Sequence, residues 1–504
     1  SDAVFVYSPK KKPPTGSFLA LEAIVVDYLP SDNSKPVTQL KMMGGKLLKE
    51  PTREIIACML RANNVPLDRH QLAVFLNGLE GMLVAIEPGA TFIQASNPFG
   101  DYVVSLADDL DLKRFRTHQG GIVLESHELD RWFPSFRMIN YVDAPRLNVG
   151  ARLLNTVTGP LNFRSGSYQI SVNHSIEVEP VTVAIERTSL APTPDKMTIL
   201  TLNSFNLDPH VELAENVKNP HLDIDDDYGD RRFHALADAV VTQAETPDII
   251  ALQEIQDSDG AEITKQVAAD KTYQLFTAQI RNAGGPTYHW IDIAPVANSD
   301  GGQPGGNIRN AYLYNPERIE LIPKSAARIG EQEPAFENSR KPLMAHFRLR
   351  GTQSPLAVIN VHLASKRHQN SIFAPLNPGF DPQLATRIKQ ASIIRAAALA
   401  LTAQGIDYYI TGDFNDFEDS STLKAILGDE NVNLVKTVPR LERYDYNHRG
   451  KLQVLMHGIV SKALADAQRA EYEILHGNEL IGVRPGELGT KPSDHAYVIS
   501  RIKM

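Results

Sequence analysis

Short, largely apolar segments, each followed by a polar residue, recur through the chain from about residue 198 onward. They lie at 199–202, 248–252, 357–361 and 408–411. Runs of this length and composition are typical of strands buried on both faces of a sheet. Between them, a stripe of apolar residues at 233–241 and a longer pattern from about 383 to 403 predict amphipathic helices. Strands that alternate with helices predict an α/β domain over 198–504.

The residues before this domain follow a different pattern. From about 18 to 186, short apolar runs are separated by turn residues, which predicts a β-rich accessory region that is barrel-like or sandwich-like. An oligonucleotide-binding (OB-like) barrel is one form that this region can take. Residues 1–17 indicate an extended arm, and residues 187–197, with two prolines and several small polar residues, indicate a linker.

Composition excludes several classes of protein. No apolar run approaches the ~20 residues of a membrane-spanning helix. The one cysteine, Cys58, leaves no internal disulfide and no cysteine metal cluster. The formal net charge of -9 gives no general attraction to a polyanion, so a nucleic-acid partner has to be met by local basic groups or bound metal. The opening residues contain no apolar signal core, and we expect a chain that is either cytoplasmic or already processed.

The polar residues that end the apolar runs can bind metal or phosphate. In chain order they are Asn203, Glu254, His362, Asp413 and Asn415, and near the C-terminus Asp494 and His495 lead into a last apolar run at 496–502. Because strand ends that meet at one edge of a sheet gather the ligands of α/β proteins, we expect these side chains to converge. Oxygen ligands favour Mg²⁺, or Mn²⁺ in its place, and no Cys-rich or His-rich spacing favours zinc. Phosphodiester hydrolysis needs such a metal, a base for water, and donors to the phosphate oxygens.

Six segments in this region resemble, in the same order, the endonuclease/exonuclease/phosphatase superfamily, which includes pancreatic-type deoxyribonuclease. They lie at 200–203, 249–254, 339–343, 359–366, 411–416 and 493–495. The resemblance implies a four-layer α/β sandwich of the DNase I-like type. Segments 284–288 and 301–309 look closest to large bacterial extracellular nucleases, in which β-rich modules precede the nuclease. That likeness implies a secreted or cell-envelope location.

The resemblance also implies a role for each matching residue. Metal binding falls to Asn203, Glu254 and Asp494, phosphate binding to Arg340 and Asn415, and catalysis to His362, Asp413, Asn415 and His495. Asp413 would activate or orient the attacking water, and the two histidines would stabilise the phosphoryl transition state or assist the leaving oxygen. A carboxylate beside a metal can accept a proton, and cationic donors offset charge that builds up on phosphate.

One position departs from the family pattern. Members of the family usually carry an aspartate that hydrogen-bonds the final histidine, and Met456 stands in its place. A thioether cannot orient an imidazole, so we expect His495 to be less well held unless Asp445 supplies the missing carboxylate. Loss of such a partner in a serine protease triad lowered the rate by about 10⁴-fold.

The acidic segment 223–230 suggests a calcium loop, but it lacks the glycine and terminal glutamate of a helix-loop-helix calcium site. A solvated loop is the expectation there, with a structural Ca²⁺ as the alternative.

Three functions remain open at this point. The first is a nuclease of low sequence specificity that acts on DNA, with RNA as a further substrate. The second is a phosphodiesterase or phosphatase of the same superfamily that acts on phospholipids or inositol phosphates. The third, which Met456 keeps open, is a catalytically impaired protein that binds nucleic acid. The sequence does not predict the oligomeric state.

Overall fold

The computed structural model describes residues 3–7, 17–29, 35–48, 55–124, 130–484 and 491–504. Most of the predicted arm over 1–17 lies outside these residues. Within it, strand β1 (Phe5–Tyr7) pairs in parallel with residues 39–41. No helix in the described ranges is long and apolar enough to cross a membrane.

The N-terminal region is β-rich, as predicted. After β1 it contains β2 (Leu19–Tyr28), β3 (Val37–Leu47), β4 (Cys58–Met59), α1 (Arg69–Leu79), β5 (Leu83–Ile86), β6 (Thr91–Phe92), β7 (Asp101–Ser105), β8 (Ser135–Met138), β9 (Arg152–Leu153), β10 (Val157–Arg164), β11 (Ser167–Val172) and β12 (Val178–Glu179). Strands β1, β3 and β2 form a small sheet, and the others follow the order β12-β9-β6-β7-β8-β11-β10-β5-β4. The oligonucleotide-binding form of this region stays a prediction.

The C-terminal region alternates strands and helices, which confirms the predicted α/β class. Its elements are β13 (Lys196–Leu207), α2 (Pro220–Asp223), α3 (Arg232–Thr242), β14 (Ile249–Ile255), α4 (Asp270–Asn282), β15 (His289–Asp292), β16 (Arg309–Tyr314), β17 (Ile319–Leu321), β18 (Ala327–Arg328), β19 (Leu343–Leu349), β20 (Leu356–His362), α5 (Leu384–Ala403), β21 (Asp407–Asp413), α6 (Ser421–Leu427), β22 (Asn431–Asn433), β23 (Tyr446–His448), β24 (Lys451–Gln453), β25 (Met456–Ser461), α7 (Lys462–Asp466), β26 (Ala470–Leu475) and β27 (Tyr497–Lys503).

These elements stack as a four-layer sandwich of the DNase I-like type. One sheet has the order β15-β16-β14-β13-β27-β26, and the facing sheet has the order β17-β19-β20-β21-β25-β22. Apolar residues of both sheets, such as Ile199 and Val358, share one core. Helices α3 and α4 cover the outer face of the first sheet, and α5 and α6 cover the outer face of the second. The apolar runs are therefore buried on both faces, which is why they do not alternate.

Buried hydrogen bonds fix how the facing sheets meet. Asn360 on β20 donates from Nδ2 to the carbonyls of Leu252 (2.8 Å) and Ala311 (3.0 Å). Its Oδ1 accepts a hydrogen bond of 2.6 Å from Nε2 of Gln253. Thr201 and Thr411 share a further hydroxyl bond of 2.5 Å between the sheets. Because buried polar groups need partners, these bonds favour one register of the two sheets over others.

Residues 187–195, within the predicted linker, contain neither helix nor strand, but they pack against the sandwich. Leu190 is buried there, and Thr188 and Ser189 hydrogen-bond to Glu473 on β26. The N-terminal region also contacts the segments beside the last strands, through bonds such as Ser96 Oγ to the Val483 carbonyl at 2.9 Å. The domain boundaries themselves stay a prediction.

The expectation of a solvated loop at 223–230 is wrong at Asp227. This side chain is fully buried and forms an ion pair with Arg232, which is also buried. The sequence pattern showed only the charges of the segment, whereas the tertiary structure supplies the cation.

We predict that Asn360→Ala destabilises the protein by at least about 2 kcal/mol, because it leaves the Gln253 amide and two carbonyls without their partner. Urea denaturation followed by circular dichroism measures the change. Lys389→Ala on the exposed face of α5 is the control and should change stability by less than about 0.5 kcal/mol. Equal stabilities of the two variants would contradict a role for Asn360 in joining the sheets.

Candidate active site

The polar residues predicted to converge do so at one edge of the sandwich. Asn203 and Glu254 come from β13 and β14 in one sheet, and His362 and Asp413 come from β20 and β21 in the other. His362 and Asp413 are direct neighbours in a parallel strand pair. The site is therefore built where the ends of the two facing sheets meet.

The distances among these side chains define one small gap. Asn203 Nδ2 lies 3.1 Å from Glu254 Oε1 and 3.5 Å from Asp413 Oδ2. His362 Nε2 lies 3.5 Å from Asp413 Oδ2 and 3.7 Å from Glu254 Oε1. One atom each of Glu254, His362 and Asp413 lies within 4.8 Å of the others. A single cation is thus within reach of both sheets.

Irregular backbone directs two of these side chains. Glu254 has a φ of 56°, at a register shift between Leu252 and Ile255 where β14 leaves its regular pairing. Asn415 has a φ of 52°, and its backbone N–H donates to Asp413 Oδ1 at 2.8 Å. Non-glycine residues rarely adopt positive φ, and such strain often accompanies function because it aims a side chain that a regular strand would point elsewhere.

Asp445 lies beside His495 and provides the carboxylate that Met456, at the usual family position, does not. Its Oδ2 lies 3.5 Å from His495 Nδ1, while His495 Nε2 faces Asp413 Oδ2 at 3.8 Å. The Asp445 carboxylate is held by the backbone N–H groups of Leu455 and Met456, each at 2.7 Å. The Met456 side chain packs in the core between the sheets. Asp445 can therefore orient His495, although Met456 stands where the family has an aspartate.

The charges around the two histidines give them opposite states. Burial lowers the pKa of His362 well below its usual value, and the cationic Arg340 and His495 lower it further. Burial also acts to lower the pKa of His495, but Asp494, Asp445 and Asp413 outweigh it and raise that pKa to about 10. These shifts favour the neutral form of His362 and the protonated form of His495.

Two carboxylates of the site, Glu254 and Asp413, have raised pKa values. Burial raises the pKa of Glu254 to about 7, with a further contribution from the charges of Asp494 and Asp413. Burial raises the pKa of Asp413 to about 6. A bound divalent cation would offset this repulsion and lower both pKa values.

Arg340 and Asp494 complete the predicted set. Arg340 is 7% exposed and donates from Nη2 to the Leu363 carbonyl at 2.9 Å, while its Nε has no hydrogen-bond partner among the described residues. Asp494 Oδ1 is likewise buried without a partner in the described part of the chain. Ser493, next to it, donates to the Asn203 carbonyl at 2.7 Å, which ties this segment to β13.

The donor set fits a hard divalent cation. It offers carboxylate oxygens of Glu254, Asp413 and Asp494 and an imidazole nitrogen of His362. Asn203 turns its Nδ2 toward these carboxylates and its Oδ1 toward the Phe205 N–H, so it would bind a cation after a flip of its amide. The unpartnered Asp494 Oδ1 is the clearest sign of a missing ligand, because a buried carboxylate oxygen without a donor is unfavourable. Oxygen-rich sets of this kind bind Mg²⁺ or Mn²⁺.

Tyr446 is a site residue that the sequence analysis missed. Its ring lies 4.8 Å from the His495 ring, centroid to centroid, and the two residues form a backbone bridge. Tyr446 and Phe205 also line a cavity of about 170 Å³ that includes Asp494, Lys491 and residues of the N-terminal region. Only the position of Tyr446 beside Asp445 in the tyrosine-rich segment gave a signal in the sequence.

Comparison with known proteins gives two family matches. A family described as "Endonuclease/Exonuclease/phosphatase family" matches residues 200–495, and a family described as a domain of unknown function matches residues 63–182. No curated protein matches the chain.

Several solved structures are similar to this chain. A humanized TDP2 of D. rerio is 14% identical, with coverage of 62% of this chain and 100% of that chain and a TM-score of 0.40. An endonuclease/exonuclease/phosphatase family protein from Bacteroides thetaiotaomicron is 15% identical, with coverage of 61% and 94% and a TM-score of 0.37. The human Nocturnin catalytic domain is 13% identical, with coverage of 62% and 95% and a TM-score of 0.39.

We predict that Asp445→Asn lowers the pKa of His495 from about 10, because the carboxylate that stabilises the imidazolium becomes neutral. Metal-free wild-type protein should keep His495 protonated well above pH 7, whereas the variant should release this proton at lower pH. An NMR titration of labelled histidines, with the signal assigned through His495→Gln, measures the shift. Met456→Leu is the control and should leave the titration unchanged; the opposite ranking would contradict the role of Asp445.

Proposed function

The chain belongs to the endonuclease/exonuclease/phosphatase family of hydrolases, and we propose that it is a divalent-metal-dependent phosphodiesterase that cuts the backbone of nucleic acids. The observation that carries the proposal is the meeting of Asn203, Glu254, His362 and Asp413 around one gap, with His495 on its far side. Such an arrangement offers a cation site, a base and a cationic donor within a few ångströms, and phosphodiester hydrolysis requires all three.

Asn203, Glu254 and Asp494 would hold the metal, which supplies charge stabilisation to the phosphate oxygens and the attacking water. Glu254 faces Asn203 from one sheet and His362 from the other. Burial, followed by the charges of Asp494 and Asp413, raises the pKa of Glu254, and a bound cation would counter both effects.

Asp413 is suited to orient and deprotonate water. Its Oδ1 accepts the Asn415 N–H, and its Oδ2 is the atom that faces Asn203, His362 and His495. The oxygen that faces the gap is therefore the one that would accept a proton from water. A pKa of about 6 leaves this carboxylate largely ionised at neutral pH and still basic enough to act.

The phosphate would be met by cationic and amide donors. His495, protonated under the influence of three carboxylates, would donate to a phosphate oxygen from Nε2. Arg340 brings a buried positive charge whose Nε has no partner among the described residues. Asn415 Nδ2 lies 3.2 Å from the Leu363 carbonyl and 3.4 Å from Asp413 Oδ2, which places an amide donor beside the proposed base.

A nucleic-acid substrate is favoured by the surroundings of this gap. Phe205 and Tyr446 line the cavity that contains Asp494, and aromatic rings beside a phosphate site can stack on bases. Gln94 and Asn97 of the N-terminal region line the same cavity. The β-rich region would therefore help to position the polymer. The proposal includes a secreted or cell-envelope location, because the sequence resembles large bacterial extracellular nucleases.

The test is cleavage of plasmid DNA and single-stranded RNA with Mg²⁺ or Mn²⁺, with and without a chelator. We expect chelator-sensitive cleavage that falls by at least about 10²-fold in Glu254→Gln, because a ligand of the metal loses its charge. Glu337→Gln, an exposed substitution of the same type, is the matched control and should retain full activity.

Other outcomes separate the alternatives. Release of a phospholipid headgroup or an inositol phosphate without DNA or RNA cleavage would support the second function of the superfamily. Retention of DNA without any cleavage would support a binding protein, and either result would overturn the nuclease proposal.

A further inference from the structure

A second group of carboxylates, separate from the group in the candidate active site, lies in the segment between β13 and α3. Asp208, Glu212 and Asp225 each offer one oxygen, and these atoms lie within 4.8 Å of one another. Asp208 is 1% exposed and Glu212 is 4% exposed, while Asp225 is partly exposed. Three like charges are thus brought together with little water around two of them.

Hydrogen bonds hold the three carboxylates in place, but they do not provide a donor for every carboxylate oxygen. Glu212 accepts from the backbone N–H groups of Ala261 (3.0 Å) and Asp225 (3.2 Å). Asp208 Oδ1 accepts from the His210 N–H at 2.8 Å. By contrast, Asp208 Oδ2 is buried and has no hydrogen-bond partner in the described part of the chain. A buried carboxylate oxygen without a partner points to a ligand that completes it.

Nearby positive charges are already engaged with other residues. Arg232 is paired with Asp227, and it also donates to the carbonyls of Ser204 and Phe205. His210 contacts Glu262 at 3.0 Å. Within the described ranges, no lysine or arginine forms an ion pair with Asp208, Glu212 or Asp225. Either protons or a cation must therefore neutralise the acidic group.

We propose that Asp208, Glu212 and Asp225 form a Ca²⁺ site that is distinct from the catalytic metal site. Ca²⁺ binds six to eight oxygens at about 2.3–2.6 Å, so oxygens on opposite sides of the ion lie about 4.8 Å apart. The spacing of the three carboxylates fits this span, and main-chain carbonyls and water supply the remaining ligands in sites of this kind.

Gly260 permits the close approach that this site needs. Its φ is 63°, and a Cβ there would lie 2.3 Å from Glu212 Oε1 and 2.7 Å from Asp208 Oδ1. A side chain there would be strained by the positive φ and would force the two carboxylates to move from these positions. The backbone at Gly260, which carries no side chain, thus lies directly against the carboxylates of Glu212 and Asp208.

The position of this site suggests what the ion does. The three carboxylates lie in the segment that follows Asn203 and β13, and Glu212 also accepts the N–H of Ala261 from the loop after β14 and Glu254. A cation bound to Glu212 would therefore hold together the two loops that continue from the proposed catalytic metal ligands. Arg232 strengthens the same junction through the carbonyls of Ser204 and Phe205 at 2.8 and 2.6 Å. Ca²⁺ would stabilise this edge of the sandwich without touching the substrate.

The experiment compares thermal unfolding of the metal-free full chain with and without Ca²⁺, together with isothermal titration of CaCl₂. At a Ca²⁺ concentration about 100 times Kd, we expect Tm of the wild type to rise by about 2–3 °C. The rise should persist in Glu254→Gln, in which the catalytic site has lost a ligand, and should disappear in Asp225→Asn and Asp208→Asn.

A further comparison distinguishes a cation site from a merely structural role. Because Asp208→Asn removes repulsion, the metal-free variant should be at least as stable as the metal-free wild type, yet insensitive to Ca²⁺. Asp238→Asn on the exposed side of α3 is the matched control and should keep the full response. The proposal is overturned if the wild type shows no Ca²⁺-dependent shift, or if Glu254→Gln loses the shift while Asp225→Asn keeps it.

Discussion

The hydrogen-bonded contact between the two sheets is the constraint on which the candidate site depends. Asn360, which precedes His362 on β20, bonds to the carbonyls of Leu252 and Ala311. It also bonds to the side chain of Gln253, which adjoins Glu254. A shift of one sheet against the other would leave these groups buried and unpaired, at a cost of a few kcal/mol. Polar contacts in the core therefore set the relative position of residues that bear the chemistry.

The charges around each side chain then give chemically similar residues different pKa values and different proposed roles. Burial and the charge of Arg340 lower the pKa of His362, whereas the surrounding carboxylates raise the pKa of His495. Asp413 lies between them and has one oxygen tied to Asn415 and the other free to face the gap. The same clustering that gives each group its state also leaves an excess of negative charge, which a divalent cation would relieve. The arrangement of charges that would bind the metal is thus the same one that shifts the pKa values of the proposed catalytic groups.

The roles of Met456 and of the acidic segment 223–230 could not be predicted from the identity of single residues. Met456 stands where the family has an aspartate, yet its side chain packs in the core and Asp445, eleven positions earlier, lies beside His495. The acidic segment contributes a buried ion pair through Asp227 and one edge of a carboxylate group through Asp225. In both cases the partner comes from a segment whose proximity only the folded chain establishes.

The sequence by itself determined the α/β class, the β-rich N-terminal region and the convergence of the strand-end residues, because burial patterns and the order of motifs are local properties of the chain. Only the tertiary structure decided that Asp445 faces His495, that Tyr446 covers it, and that Asp208 and Glu212 meet Asp225. Those contacts depend on where loops cross after folding, and a loop's path follows from hydrogen bonds and packing with distant segments. No periodicity in the sequence encodes them.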